Sequence, residues 1–366
     1  MNNYQNVAIF IDSLGGGGAE QVMLTLTNEL LTRGHQVHFF LLENRIEYNL
    51  PSNLPVHVLY KNKSHRKSTS FFSLSQTATD MQALVKKLES EQGQFTLKLA
   101  NLDPSCNVAE RCGFSNTFYV LHNAMAKELK REAKLGPIKY WRKRFEKNAY
   151  NNKRIIAVSQ GVADEAKSNK LIQPKSVNKI YNPIDFSHIQ KQSLETNNEL
   201  PKEDYLIHIG RVVKQKRHDI LFQALQNIPN IKLVLLCKKV DKVRKLARKY
   251  KVEDRVITPG FQKNPYTWIK NAKALISASE FEGLGMNIIE ALSLNTPVVS
   301  TDCDYGPREL LTGELNQFLV PVNDVQSLTN KIKQALDYYP QIPVTELKEK
   351  FSVKVAADNY LSLAAK

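Results

Sequence analysis

The sequence SEFEGLGMNIIE, residues 279–290, is the stretch that decides the fold of this chain. It follows an apolar run, residues 274–278, that predicts a buried strand, and it leads into residues 286–292, which predict a helix. A glycine-containing turn between a strand and a helix exposes backbone N–H groups at the positive helix end, which suits a phosphate. Glu282 falls in the loop and Glu290 lies more than one turn into the helix. The two carboxylates are therefore expected to contact two parts of one extended ligand, as the sugar and the ribose of a nucleotide sugar would be.

The length and composition indicate two domains without a membrane span. A chain of 366 residues with 42% hydrophobic residues is too long for one ordinary core. No run of about 20 apolar residues occurs, and the N-terminus leads straight into a strand without a signal-peptide pattern. The four cysteines (Cys106, Cys112, Cys237 and Cys303) form no Cys-x-x-Cys pair and are expected to be free thiols in a reducing cytoplasm.

The positive charge is concentrated in two segments. The formal net charge is +15, of which residues 127–154 contribute +8 and residues 238–251 contribute +7. These two faces are where an anionic partner is expected. Ile138, Trp141, Phe145 and Ala149 follow helical spacing among basic residues, so this helix is expected either to lie on an anionic membrane or to pack its stripe on its own domain.

Strands alternate with helices along the chain, which predicts parallel sheets. Four glycines, residues 15–18, follow the first strand, and His122 follows the strand at 117–121. Both positions lie at strand ends, where α/β sheets bind ligands. Gly210, Arg211 and Lys216 follow the strand at 205–209 in the same way, and two cations there would suit a diphosphate.

A family resemblance rests on these motifs. The pair Glu282 and Glu290, Gly283 and Gly285 after the first, Ala291 after the second, and residues 296–302 (TPVVSTD) resemble the donor-site signature of the retaining glycosyltransferases of family 4. The resemblance implies the GT-B architecture, an α/β fold of two facing Rossmann-like domains with parallel sheets. It implies an acceptor-binding domain at 1–188, a donor-binding domain at 189–345, and a final helix, from about 345 to 364, that returns to the first domain, with 346–366 packing there.

The resemblance also implies roles for individual residues. The catalytic group comprises Glu282, which hydrogen-bonds the donor sugar, Arg211 and Lys216, which clamp the diphosphate, and His122, which lies beside the sugar and the acceptor hydroxyl. Glu290 is expected to bind the ribose hydroxyls. The remaining donor-binding positions are Gly16, Gly17, Gly210, Gly283, Leu284, Gly285, Met286 and Asn287.

Two local features bear on the chemistry. The family usually has glycine after the clamp lysine, and Arg217 stands there instead, which is expected to alter the turn or to add a phosphate contact. The spacing of Asp302 and Asp304 is that of metal-binding glycosyltransferases of another fold. Since the Arg–Lys clamp can stabilise the leaving diphosphate, we expect no metal and no other cofactor.

The substrates are expected to be a UDP-sugar, carrying a hexose or N-acetylhexosamine, and a glycan or lipid-linked glycan of bacterial surface polysaccharide or lipopolysaccharide synthesis. Residues 137–150 are the candidate contact with the cytoplasmic face of the inner membrane. Nucleic acid is not an expected partner, because aromatic residues are not interleaved along an open basic groove. Two alternatives stay open: a nucleotide-sugar epimerase of the same architecture, and a non-catalytic protein that binds an anionic glycan or lipid.

Overall fold

The chain forms two compact units. The computed structural model describes residues 4–62, 64–70 and 72–364. The first unit comprises Met1–Ile184 and Phe351–Lys366, and the second comprises Asp185–Lys350. The boundary expected after residue 188 falls inside a helix, Phe186–Gln192, that belongs to the second unit.

The first unit is a parallel sheet flanked by helices. In chain order its elements are β1 (Asn6–Ile11), α1 (Gly18–Thr32), β2 (Gln36–Glu43), β3 (Val56–Tyr60), α2 (His65–Ser68), α3 (Leu74–Gln92), β4 (Leu97–Asn101), α4 (Asp103–Cys112), β5 (Thr117–Leu121), α5 (Met125–Ala133), α6 (Pro137–Lys147), β6 (Arg154–Ala157), α7 (Gln160–Ser168) and β7 (Ser176–Lys179). The break expected at Gly136 and Pro137 is confirmed, since α5 ends before it and α6 begins at the proline.

The strand order places the ends of β1 and β4 side by side. The seven strands run β3-β2-β1-β4-β5-β6-β7, and all pairs are parallel. Every residue of β1 is buried, as a strand covered by helices on both faces requires. The order reverses between β1 and β4, and in such sheets the crevice beyond the strand ends at this switch point binds ligands.

The second unit repeats this plan. Its elements are α8 (Phe186–Gln192), β8 (Tyr205–Ile209), α9 (His218–Gln226), β9 (Lys232–Leu236), α10 (Val240–Lys249), β10 (Val256–Gly260), α11 (Tyr266–Lys270), β11 (Ala274–Ser277), α12 (Met286–Ser293), β12 (Val298–Thr301), α13 (Pro307–Leu310), β13 (Leu319–Val320), α14 (Val325–Asp337) and α15 (Val344–Phe351). The six parallel strands run β10-β9-β8-β11-β12-β13, so the switch point lies between β8 and β11. The predicted fold class, two Rossmann-like domains with parallel sheets, is confirmed.

The C-terminal helix returns to the first unit, but it begins later than expected. The single helix predicted from about 345 to 364 is interrupted at Ser352, and its last part is α16 (Val353–Ala364). The interruption has a physical cause, because the Ile184 amide donates to the Phe351 carbonyl (2.9 Å) and the Val353 amide donates to the Ile184 carbonyl (3.0 Å). Arg33, the residue after α1, forms an ion pair with Asp358 of α16 at 2.5 Å.

The helices of the described segments include none that combines the length and the apolar character needed to cross a membrane.

Tyr360 tests the packing of α16. Its side chain is fully buried, and among the described residues its hydroxyl has no hydrogen-bond partner. Tyr360→Ala should lower the free energy of unfolding of the first unit by about 3 kcal/mol, because it leaves a cavity. Tyr360→Phe should be neutral or stabilising, because it removes an unsatisfied buried hydroxyl. Urea unfolding of both variants checks this, and a neutral alanine variant would contradict the packing.

Candidate active site

The loop between β11 and α12, residues 278–285, is held inside the second unit. We call it the donor loop. Residues 281–285 are all buried, and Gly285, the residue just before α12, has φ of +91°, a conformation that L side chains rarely adopt. The side-chain amide of Asn287 donates to the carbonyl of Ile209 at the end of β8, 3.2 Å away. The first turn of α12 is thereby tied to the neighbouring strand.

The segment that follows β8, residues 210–217, packs against the donor loop, and we call it the clamp turn. Its centre is a short 3₁₀ turn, Lys214–Lys216. Gln215 is buried within it, and its side-chain amide donates to the Phe281 carbonyl at 2.7 Å. The Gln215 carbonyl accepts from the Glu280 amide at 2.8 Å. Segments far apart in sequence are joined here because β8 and β11 are adjacent.

Lys216 and Glu282 form an ion pair at the meeting point of these two segments. The Lys216 ammonium lies 2.5 Å from a Glu282 carboxylate oxygen, and the side chains are only 14% and 11% exposed. The sequence assigned the lysine to the diphosphate and the glutamate to the sugar, and the structure brings both into one contact. The pair fixes the direction of each side chain, so a change at either residue should disturb the other.

Arg211 and Arg217 have different environments. Arg211 is exposed, and among the described residues its side chain makes no hydrogen bond or ion pair. Arg217 has φ of +44°, so the backbone keeps the left-handed conformation that glycine would adopt there. Its guanidinium pairs with Asp219 at 2.7 Å and with Glu280 at 3.4 Å. Both expectations for Arg217, an altered turn or an added phosphate contact, stay predictions; here its guanidinium is engaged by carboxylates.

Glu290 is a half-buried carboxyl on α12. Within the described ranges its side chain makes no hydrogen bond or ion pair. Burial, which removes water from the carboxylate, raises the pKa of Glu290 to about 8. At neutral pH the group is therefore largely protonated, and hydrogen bonds donated to its ionised form would lower this pKa again.

The segment after β12 packs against the donor loop and supports it. The Glu282 amide donates to the Asp304 carbonyl at 2.9 Å. Gly306 has φ of +95°, and a methyl group at its Cα would come within 2.2 Å of the Leu284 carbonyl oxygen. Only glycine allows this approach, so Gly306 positions the loop that carries Glu282.

The first unit places His122 at the end of β5 beside the end of β4. The side-chain amide of Asn101 donates to the carbonyls of Phe10 and Leu99, so its oxygen faces His122 Nε2 at 2.9 Å. His122 therefore donates from Nε2 and carries its lone pair on Nδ1. Burial lowers the pKa of His122 to about 4, so the imidazole is neutral at physiological pH.

Gly16 and Gly17 lie where the sequence placed them, immediately before α1. The carboxylate of Glu20 lies against Gly17, since a methyl group on that glycine would come within 2.2 Å of a Glu20 oxygen. Any phosphate bound by these glycines would have to share the helix end with this carboxylate. Asp12, which follows β1, is buried and accepts from the Ser105 hydroxyl at 2.7 Å, and burial raises the pKa of Asp12 to about 7.

Asp302 and Asp304 lie in the segment after β12. Asp302 forms an ion pair with Arg308. Across the described ranges, no three or more His, Cys, Asp or Glu side chains are grouped so that they could hold a metal ion.

Two family models together match nearly the whole chain. The model described as "Glycosyltransferase Family 4" matches residues 16–188, and the model described as "Glycosyl transferases group 1" matches residues 190–352. The chain belongs to the group 1 glycosyltransferases. The family resemblance is thereby confirmed, and the retaining mechanism stays a prediction.

This glycosyltransferase is similar to a named transferase and to solved structures over nearly its whole length. The N-acetylgalactosamine-N,N'-diacetylbacillosaminyl-diphospho-undecaprenol 4-alpha-N-acetylgalactosaminyltransferase of Campylobacter jejuni is 28% identical over 97% of this chain and 98% of that protein. Among solved structures, sucrose-phosphate synthase from Thermosynechococcus elongatus superposes with a TM-score of 0.80 at 17% identity, covering 99% of this chain and 98% of that one. Anabaena HepE in complex with UDP-glucose superposes with a TM-score of 0.74 at 19% identity, covering 99% and 100%. At these identities the two structures support the fold.

The supporting roles of three residues of this glycosyltransferase, Gln215, Asn101 and Gly306, were not predicted from the sequence. Gln215 gave no signal, because it is one polar residue between two lysines in a basic turn. Asn101 ends a strand, as ligand-binding residues often do, and Gly306 precedes a proline in a turn, so both carried a local signal. Their roles depend on contacts with distant segments, which local patterns do not contain.

Gly306→Ala tests the support of the donor loop. The added methyl group would clash with the Leu284 backbone, so we expect the donor KM to rise at least about tenfold and the second unit to lose stability. Gly313→Ala is the matched control, because it also has a positive φ (+56°) but meets nothing within 4 Å. The control should lose only about 1 kcal/mol of stability and keep the donor KM. Steady-state kinetics on both variants check this, and equal KM values would contradict the assigned role.

Proposed function

We propose that this glycosyltransferase transfers a hexose or N-acetylhexosamine from a UDP-sugar to a glycan or lipid-linked glycan of bacterial surface polysaccharide or lipopolysaccharide synthesis, with retention of anomeric configuration. The observation that carries the proposal is the Lys216–Glu282 pair, at the switch point between β8 and β11 and before the N-terminus of α12. A cation, a carboxylate and a helix N-terminus are gathered where a ligand with a diphosphate and a sugar needs them.

The donor diphosphate is assigned to Arg211, Lys216 and the backbone of the donor loop. Arg211 is exposed, so its guanidinium is available to a phosphate. When the bond between C1 of the sugar and the diphosphate oxygen breaks, charge develops on the diphosphate, and the two cations stabilise it. In this proposal they take the place of a metal ion, and no cofactor is required. Gly210 and residues 283–287 of the second unit are assigned to the same donor by the resemblance.

The two glutamates are assigned to the two sugars of the donor. Glu282, held by Lys216, accepts hydrogen bonds from hydroxyls of the transferred sugar. Glu290, whose pKa is raised by burial and not by a neighbouring charge, accepts hydrogen bonds from the ribose hydroxyls. UDP as the nucleotide is supported by the HepE complex with UDP-glucose, which shares the fold.

Retention is proposed through transfer on one face of the sugar. The acceptor oxygen bonds to C1 on the side from which the diphosphate leaves, and the acceptor proton passes to the departing diphosphate oxygen. Glu282 is the one carboxylate assigned to the transferred sugar, and it forms an ion pair with Lys216. A double displacement, which needs two free carboxyl groups, is therefore not favoured. His122, neutral and with its lone pair on Nδ1, is assigned to the acceptor hydroxyl.

The acceptor is proposed to be lipid-linked. The Campylobacter relative acts on an undecaprenol diphosphate-linked glycan, as its name states, and it matches this chain over nearly its full length. Such an acceptor would place the enzyme at the cytoplasmic face of the inner membrane as a peripheral protein. The basic segment 137–150 is the proposed region of contact.

A nucleotide screen tests the proposed donor. Thermal shift with UDP, GDP, ADP and CMP should single out UDP, because a ligand at 100 times its Kd stabilises the protein by about 2.7 kcal/mol. The sugar conjugates of UDP, tested next with and without acceptor, separate transfer from epimerisation. If none of the four nucleotides stabilises the protein, the proposed UDP-sugar donor is wrong. The alternative of a non-catalytic protein that binds an anionic glycan or lipid would then be favoured.

The pKa of Glu290 predicts a pH-dependent affinity for UDP. Hydroxyl donors bind the ionised carboxylate, so below pH 8 binding must release a proton. The Kd for UDP should therefore fall by up to about tenfold per pH unit as the pH rises towards 8, and should level off above it. Calorimetry between pH 7 and 9 checks this. Glu290→Gln is the matched control and should remove the slope; parallel profiles for the two proteins would contradict the ribose assignment.

A further inference from the structure

Helix α6 exposes its apolar stripe. Ile138 is 83% exposed, Trp141 is 67% exposed and Phe145 is 40% exposed, and the spacing of three and four residues puts them on one face. Leu135, just before the helix, is 46% exposed. The sequence left open whether this stripe packs on its own domain; the structure places three of its four residues at the surface, and only Ala149 is buried.

The opposite face of α6 is turned inward by buried ion pairs. The Lys147 ammonium lies 2.9 Å from Asp103 and 2.7 Å from Glu128, and only 4% of its side chain is exposed. Lys143 pairs with the other Asp103 oxygen, and Tyr150 donates to Asp103 at 2.8 Å. Burial alone would raise the pKa of Asp103, but the two ammonium groups hold it below its usual range. Because a buried carboxylate needs these partners, the helix turns its lysines inward.

The charges left at the surface around the stripe are positive. Lys134, Lys139 and Arg142 are exposed beside it. The nearby acidic side chains are engaged by cations: Glu128 by Lys147, and Glu146 by Lys143 at 3.2 Å and by the exposed Arg142 at 3.8 Å. Two cations share Glu146, so the charge around the stripe remains positive. An apolar stripe with exposed cations on its flanks matches the interfacial region of an anionic bilayer, where apolar side chains enter and cations meet the headgroups.

We propose that α6 lies in the plane of an anionic lipid surface, with Ile138, Trp141 and Phe145 inserted at the level of the headgroups and the Asp103 ion-pair cluster fixing this orientation. The proposal deepens the proposed function, on which it rests for the need to reach a lipid-linked acceptor. It commits to lipid because the cations flank the apolar stripe on a single helix. An acidic protein or a nucleic acid would be held by the cations and would not require insertion of Trp141.

Trp141 itself reports insertion. The chain has two tryptophans, and the other, Trp268, is fully buried. We expect the full-length protein to bind vesicles of phosphatidylglycerol and phosphatidylethanolamine, with a blue shift of tryptophan emission, and to bind phosphatidylcholine vesicles at least about tenfold more weakly. Trp141→Phe should keep the binding and lose the spectral shift.

Replacing an apolar residue of the stripe by glutamate tests the lipid-binding surface directly. Ile138→Glu and Trp141→Glu should each weaken binding to the anionic vesicles at least about tenfold. Leu194→Glu, which changes an equally exposed leucine (67%) of the second unit, should leave binding unchanged. Equal binding by all three variants, or binding without a blue shift in the unmodified protein, would overturn the proposal.

The UDP thermal shift is measured on the same variants, so the two proposals fail separately. A protein that responds to UDP but ignores anionic vesicles overturns the lipid contact and leaves the transferase intact. A protein that inserts Trp141 into vesicles but ignores nucleotides supports the lipid contact and overturns the proposed donor.

Discussion

The ion pair between Lys216 and Glu282 is the contact on which the donor site depends. It is largely shielded from water, so losing one partner would leave a charge that the protein interior stabilises poorly, at a cost of about 3 kcal/mol or more. Gln215 bonds to the donor loop from one side, and Asp304 and Gly306 support it from another. These contacts hold the cation and the carboxylate in one place before any donor arrives, which reduces the ordering needed on binding.

The parallel sheet makes this contact possible. Lys216 follows β8 and Glu282 follows β11, and the two strands are neighbours only because the strand order reverses between them. The first unit has the same reversal between β1 and β4, where Asp12 and Asn101 meet the end of the sheet. In both units the polar residues therefore lie beyond the carboxyl ends of strands that are adjacent in space and distant in sequence.

Much of this arrangement could be predicted from local patterns. The strands around Val7, Tyr119 and Ile207 are nearly continuous apolar runs, and the glutamate and glycine spacing of the donor loop identified the family. The pairing of Lys216 with Glu282 could not be predicted, because it depends on strand order. The outward face of α6 could not be predicted either: hydrophobic periodicity normally marks the buried face, and here buried Asp103 reverses it. The break at Ser352 likewise depends on pairing with distant Ile184.

The most direct test of this account is a double-mutant cycle on the donor kcat/KM with Lys216→Met, Glu282→Gln and the double variant. If the two side chains act as one unit, the double variant should lose about as much transition-state stabilisation as the more damaging single variant, a clear departure from additivity. If the two losses multiply, Lys216 and Glu282 act independently, and the ion pair is not the interaction that organises the donor site.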